Sequence, residues 1–232
     1  MIDPQRQRHR VLGEVLAATA AVAVLLALGE ALAGGGEVLA QLGGLVVTAG
    51  FVGVPLAVAH WRKGHGELLG DVLAVDPPLG RAALAGLAVA AAVLPAYALG
   101  FDLWQTAVLH KLRVAPDWLV WRSLPEQALV QLGAVALPEE LFFRGYVQGR
   151  LSQVWPARRQ VAGVPFGAAQ VVAALLFAAV HLVAVPAPFR MLVFFPGLLF
   201  GWVAARSGSA VTAAVLHACC NLTLWVLQAC YA

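Results

Sequence analysis

Residues 128–149 read ALVQLGAVALPEELFFRGYVQG, and the way this stretch is housed decides the fold. Its flanks are apolar, yet its centre holds Glu139, Glu140 and Arg144. Each such charge at the middle of a bilayer costs about 2.5–3.5 kcal/mol on insertion scales. A membrane segment keeps them when they face a protein interior, pair with one another, or perform chemistry.

The rest of the chain says that the surroundings are a membrane. Of 232 residues, 61% are hydrophobic and 12% charged. A soluble domain carries about 25% charged residues. Mean hydropathy is +0.83. Strands of a membrane barrel alternate apolar and polar residues. Here the apolar runs are unbroken, as in 11–33, so helices satisfy the backbone instead. The fold class expected is all-α, a polytopic transmembrane helical bundle of about seven spans. They fall near 11–33, 38–59, 81–101, 125–149, 167–185, 189–205 and 209–230. Residues 1–124 hold the first helices and an interfacial segment, and 125–232 form the helical core of one integral membrane domain.

Between the spans, Gly34-Gly35-Gly36 makes a tight turn, and 60–80 reads as a polar loop with Trp61-Arg62-Lys63 and Pro77-Pro78. Residues 102–124 mix Trp104, Trp118 and Trp121 with Lys111, Arg113 and Arg122. That mixture predicts an interfacial helix or a re-entrant segment at headgroup depth. Arg6, Arg8 and Arg10 ahead of an apolar run ending Ala31-Leu32-Ala33 resemble a secretion signal. The run is long for one and contains Glu14 and Glu30, which favours a retained helix.

Lys and Arg counts give an orientation. With the N-terminus cytoplasmic, the inner segments hold ten (Arg6, Arg8, Arg10, Arg62, Lys63, Arg81, Arg150, Arg158, Arg159 and Arg206). The outer ones hold four, Lys111, Arg113, Arg122 and Arg190. The excess inside sets the N-terminus in the cytoplasm. The net charge of +3 is explained by these clusters at span ends and calls for no nucleic-acid partner.

Glu140 and Arg144 are four apart, so they share a helix face and pair in the favourable order, acid first. Glu139 lies about 100° further round and faces a different pocket. One carboxylate is thereby neutralised and the other left available. Pro138 either starts a helix or kinks one by removing a backbone hydrogen bond. Two later apolar spans repeat the pattern of co-facial polar residues: Phe177 with His181, and His217 with Asn221.

Together these residues suit peptide hydrolysis. Glu139 takes a proton from water. His181 and His217 orient that water, or stabilise the tetrahedral intermediate and assist the leaving amine. Asn221 donates to the oxyanion. A zinc version with Glu139, His181 and His217 is chemically possible. With no H-E-x-x-H pattern, a metal-free and cofactor-free reaction is favoured. Cys219 and Cys220 follow His217 closely, but a thiol nucleophile is the less favoured reading. Cys219, Cys220 and Cys230 form no CxxC pair. Ser152, Ser207 and Ser209 sit at span ends without a partner base.

Glu139-Glu140-Leu141-Phe142-Phe143-Arg144, Phe177-Ala178-Ala179-Val180-His181 and His217-Ala218-Cys219-Cys220-Asn221 resemble the EExxxR, FxxxH and HxxxN motifs of the CPBP family. These are intramembrane endopeptidases of the CAAX prenyl protease and bacteriocin-processing group. The motifs occur in family order, and the resemblance covers residues 125–230. It implies a glutamic-type protease with Glu139 as the base, supported by Glu140, Arg144 and Phe177. His181, His217 and Asn221 complete the site. It also implies a membrane-associated protein or peptide substrate with a hydrophobic, lipidated or C-terminally tagged end. The size and Ala/Val/Leu/Arg-heavy composition point to a bacterial inner membrane. Two other classes compete: a non-proteolytic immunity or scaffold module on the same fold, and a small transporter. Intact motifs count against the first, and the absence of paired inverted repeats against the second.

Overall fold

The computed structural model describes residues 3–63 and 78–232, almost all of it helical. Helix α1 spans Pro4–Ala33 and α2 spans Glu37–Lys63. Helix α3 covers Leu79–Leu103 and runs on through a π-wound turn at Trp104–Val108. A long rod, α4, follows from Trp118 to Val154. Helices α5 (Ala168–Ala184), α6 (Phe194–Ser207) and α7 (Ala210–Gln228) complete the bundle.

Among the described residues, five helical segments are long and apolar enough to cross a membrane: Gln5–Ala33, Glu37–Arg62, Leu79–Val108, Pro188–Ser207 and Ala210–Gln228. Ala168–Ala184 is apolar but shorter. The chain is an integral membrane protein, and its outward faces fit that solvent. Val24, Leu45, Leu84 and Leu99 are exposed on α1 to α3, as lipid allows and water discourages.

Several sequence expectations are corrected here. At the two ends of the polar loop expected at 60–80, α2 continues through Lys63 and α3 begins at Leu79; residues 64–77 lie outside the described residues. Of the residues 102–124 expected to form an interfacial helix or re-entrant segment, 102–108 and 118–124 are helical, while 109–117 are outside any helix, with His110 at φ 53°, and bridge to the chain's end at Arg113–Tyr231. Backbone bonds Val114 N to Cys230 O (2.9 Å) and Ala232 N to Leu112 O (3.1 Å) hold this pairing. Arg113 adds a bidentate contact to Asp102 at 2.7 Å, and Tyr231 donates to the same carboxylate. Those bonds push the Arg113 guanidinium above its ordinary value. A small hairpin, β1 Arg159–Val161 with β2 Val164–Phe166, interrupts the all-helical pattern. Ala162 and Gly163 both have positive φ, the geometry of a tight two-residue hairpin turn.

The expected Gly34-Gly35-Gly36 turn joins α1 to α2, with Gly36 at φ 106°. Helix α1 is packed into the core, with Val11, Val15 and Val22 buried. Its Glu14 accepts from Arg62, Arg150 (3.0 Å) and Tyr146 (3.1 Å), joining α1, α2 and α4. Near the turn, the two backbones touch where Gly29 meets Gly43. A Cβ on Gly43 would lie 2.5 Å from the Gly29 carbonyl oxygen, whereas one on Gly44 would meet nothing within 4 Å. Close approach through small residues drives helix pairing in lipid. Gly43→Ala should therefore lower thermal stability in detergent by about 1–3 kcal/mol. Gly44→Ala, gaining helix propensity without a clash, should leave stability equal or higher. Equal effects of the two would remove this account of the hairpin.

Candidate active site

The site is carried by α4, which is not a uniform helix. It is α-helical at Trp118–Leu129, π-wound at Val130–Ala136, α-helical at Leu137–Glu140 and π-wound again at Leu141–Gln148. Pi-bulges cluster at functional sites because they re-aim side chains at a cost in backbone geometry. Pro138 lies at the join. Lacking an N–H, it cannot serve the carbonyl of Ala134 four residues back. The Thr48 hydroxyl donates to that carbonyl at 2.9 Å from α2. The proline thus re-winds a continuous helix, and a neighbouring helix satisfies what it leaves open.

Glu140 is fully buried and has two partners. Its Oε2 lies 2.9 Å from Arg144 Nε, the pairing expected from their spacing. Its Oε1 accepts from His217 Nδ1 at 3.0 Å, a contact across 77 residues that spacing could not reveal. A carboxylate only accepts, so Nδ1 carries the proton and Nε2 is the ring nitrogen left for the cavity. His217 is stacked on Phe200 at 4.8 Å between centroids, which fixes its plane. Arg144 donates to Gly197 O at 3.2 Å and lies over the Phe177 ring at 4.6 Å. Gly197 leaves room for this packing, since a Cβ there would stand 3.2 Å from the Phe177 ring.

Glu139 is treated differently. Its Oε2 is buried without a hydrogen-bond partner among the described residues. The nearest base is His181 Nε2, 3.9 Å away. His181 Nδ1 donates to Phe177 O at 2.8 Å, and its ring packs on Phe177 at 4.3 Å. A gap of 3.9 Å is too long for a direct hydrogen bond and leaves room for one bridging water.

Glu139, His181, His217 and Asn221 line one cavity of about 930 Å³. Asn221 Nδ2 donates to Gln131 Oε1 at 2.9 Å, so one of its two N–H groups is committed to α4. Gln131 also lines the cavity, and the sequence reading passed over it; its place in an otherwise apolar turn was the available signal. Cys220 reaches the cavity too, and no base is bonded to it among the described residues. Among the described residues no three His, Cys, Asp or Glu side chains are grouped to hold a metal. The His217 Nδ1 is turned to Glu140.

The three motifs therefore meet in one place, and the comparison with known families falls on the same stretch. Residues 121–223 match the family model described as type II CAAX prenyl endopeptidase Rce1-like. Over this stretch the chain is similar to the CPBP intramembrane proteases. No curated protein and no solved structure gave a match. The Rce1-like core runs from the first turn of α4 to the middle of α7 and holds every motif residue. That similarity implies a protease whose substrate is a protein at the membrane.

Proposed function

We propose that the chain is a glutamate-dependent intramembrane endopeptidase. It cleaves a protein substrate near a hydrophobic or lipidated C-terminal segment, without a metal. The observation that carries this reading is the unpartnered, buried Oε2 of Glu139 on the cavity, 3.9 Å from His181 Nε2. Water held between the two loses a proton to Glu139 as its oxygen attacks the scissile carbonyl carbon. His181 keeps that water in line through its Nε2, because its Nδ1–H is committed to Phe177 O. The carbonyl π electrons move onto oxygen, giving a tetrahedral oxyanion. The second Asn221 N–H faces that charge from α7. Collapse of the intermediate breaks the C–N bond, and the proton held by Glu139 passes to the leaving amine.

The protein resides in a bacterial inner membrane with a cytoplasmic N-terminus, on the asymmetry of Lys and Arg. The cavity lining extends to Glu30, Val185 and Gln228, at the helix ends on one face of the bundle. In this orientation that face is the outer one, so substrate enters from outside. The test compares the C-termini of membrane proteins in cells carrying the native chain and Glu139→Ala. A truncated C-terminus found with the native chain alone is the expected result. Identical C-termini in the two strains would count against proteolysis.

A further inference from the structure

We infer that Arg190 is a specificity-determining residue that holds the free α-carboxylate of the substrate's last residue. This rests on the protease reading and adds to it what is recognised. Arg190 sits on the 3-10 turn Pro188–Val193, directly after α5, the helix that carries His181. Its side chain lines the same cavity as Glu139. Among the described residues it is the one Arg or Lys that does so. Its Nε is buried and donates to nothing, and it forms no ion pair with a carboxylate among the described residues. Its guanidinium lies 5.9 Å from the Phe189 ring centre.

A buried N–H without an acceptor, here Arg190 Nε, is costly, so a bound group that supplies one is favoured. The rest of the lining selects which group. Glu139 and Glu30 contribute negative charge and much of the remaining wall is apolar, so an anion gains entry only against Arg190. The planar fork of Arg matches a carboxylate through two parallel N–H bonds. Spacing agrees as well. A sphere of 930 Å³ is about 12 Å across, room for about three to four extended residues. A peptide whose terminal carboxylate rests on Arg190 can thus present an internal bond a few residues upstream to the water of Glu139. Selection then comes from the end of the chain, and internal loops of other membrane proteins are passed over.

The test uses the full chain in a phosphate-free maltoside detergent. Two mixtures of peptides share one set of sequences, one ending in a free carboxylate and the other amidated. Cleavage is followed with the native chain, and retention with immobilised Glu139→Gln chain. The acid mixture should be cleaved and retained about ten- to a hundredfold better than the amide. Arg190→Gln, alone for cleavage and combined with Glu139→Gln for retention, should abolish that preference, and Arg190→Lys should keep part of it. Thermal unfolding shows whether each variant is folded. If acid and amide are cleaved alike, proteolysis stands and the carboxylate site does not. If nothing is cleaved but the acid preference in retention disappears with Arg190→Gln, the site stands and proteolysis falls. If neither mixture is retained or cleaved with preference, Arg190 is a headgroup anchor and the inference is overturned.

Discussion

Glu139→Gln should lower the rate of peptide cleavage by about 10²–10⁴-fold while the bundle keeps its stability. The substitution is nearly isosteric and removes only the ability to accept the proton of water. The Oε2 of Glu139 has no hydrogen-bond partner among the described residues, so the fold loses no such bond there. Removing an unpaired buried charge also relieves a desolvation cost, so thermal unfolding in detergent should be equal or slightly later. A structural acid behaves in the opposite way: neutralising it weakens the fold and leaves chemistry to follow. His181→Ala should lower the rate at similar stability, because its contacts are to one carbonyl and one ring. The measurement is cleavage, in proteoliposomes, of the substrate found by the C-terminal comparison. Full native rate with Glu139→Gln would sink the assignment of the base.

The opening stretch was legible because its physics is local. Four-residue spacing within one helix brings Glu140 to Arg144 and Phe177 to His181, and both pairs form. Composition alone put these helices in a membrane. What stayed hidden depends on packing between distant elements. His217 meets Glu140 only because α7 lies beside α4, and Glu14 finds Arg150 only because α1 returns to the end of α4. The winding of α4 was hidden for another reason. A switch from α to π shifts the register without changing the apolar pattern, and Pro138 was its one local sign. Within 102–124, Trp104, Trp118 and Trp121 do fall on helical turns, but the stretch between them was hidden because Leu112 and Val114 pair with the distant segment 230–232. Arg190 entered the sequence reading as one charge in an orientation tally. Its place on the cavity comes from the turn after α5.

The second large effect is on stability, and it separates the two roles of the EExxxR motif. Arg144→Ala should destabilise the bundle by about 3–5 kcal/mol, the usual cost of leaving one member of a buried ion pair alone. Glu140 is fully buried, and without Arg144 it keeps only His217. Arg144→Lys should recover little of this. An ammonium is a point charge that does not reproduce the flat contact over Phe177 together with the bond to Gly197 O. Removing both charges is a different experiment. In Glu140→Met combined with Arg144→Met, no buried charge is stranded, and such replacements are often neutral or stabilising. The double variant should therefore unfold close to the native temperature in detergent. It should still cleave poorly, because His217 has lost the carboxylate that fixes its Nδ1 proton and its ring. Stability restored without activity would mark Glu140 as a positioning residue acting through His217. Stability and cleavage restored together would reduce the motif to helix packing, with Glu139 and His181 carrying the chemistry without it.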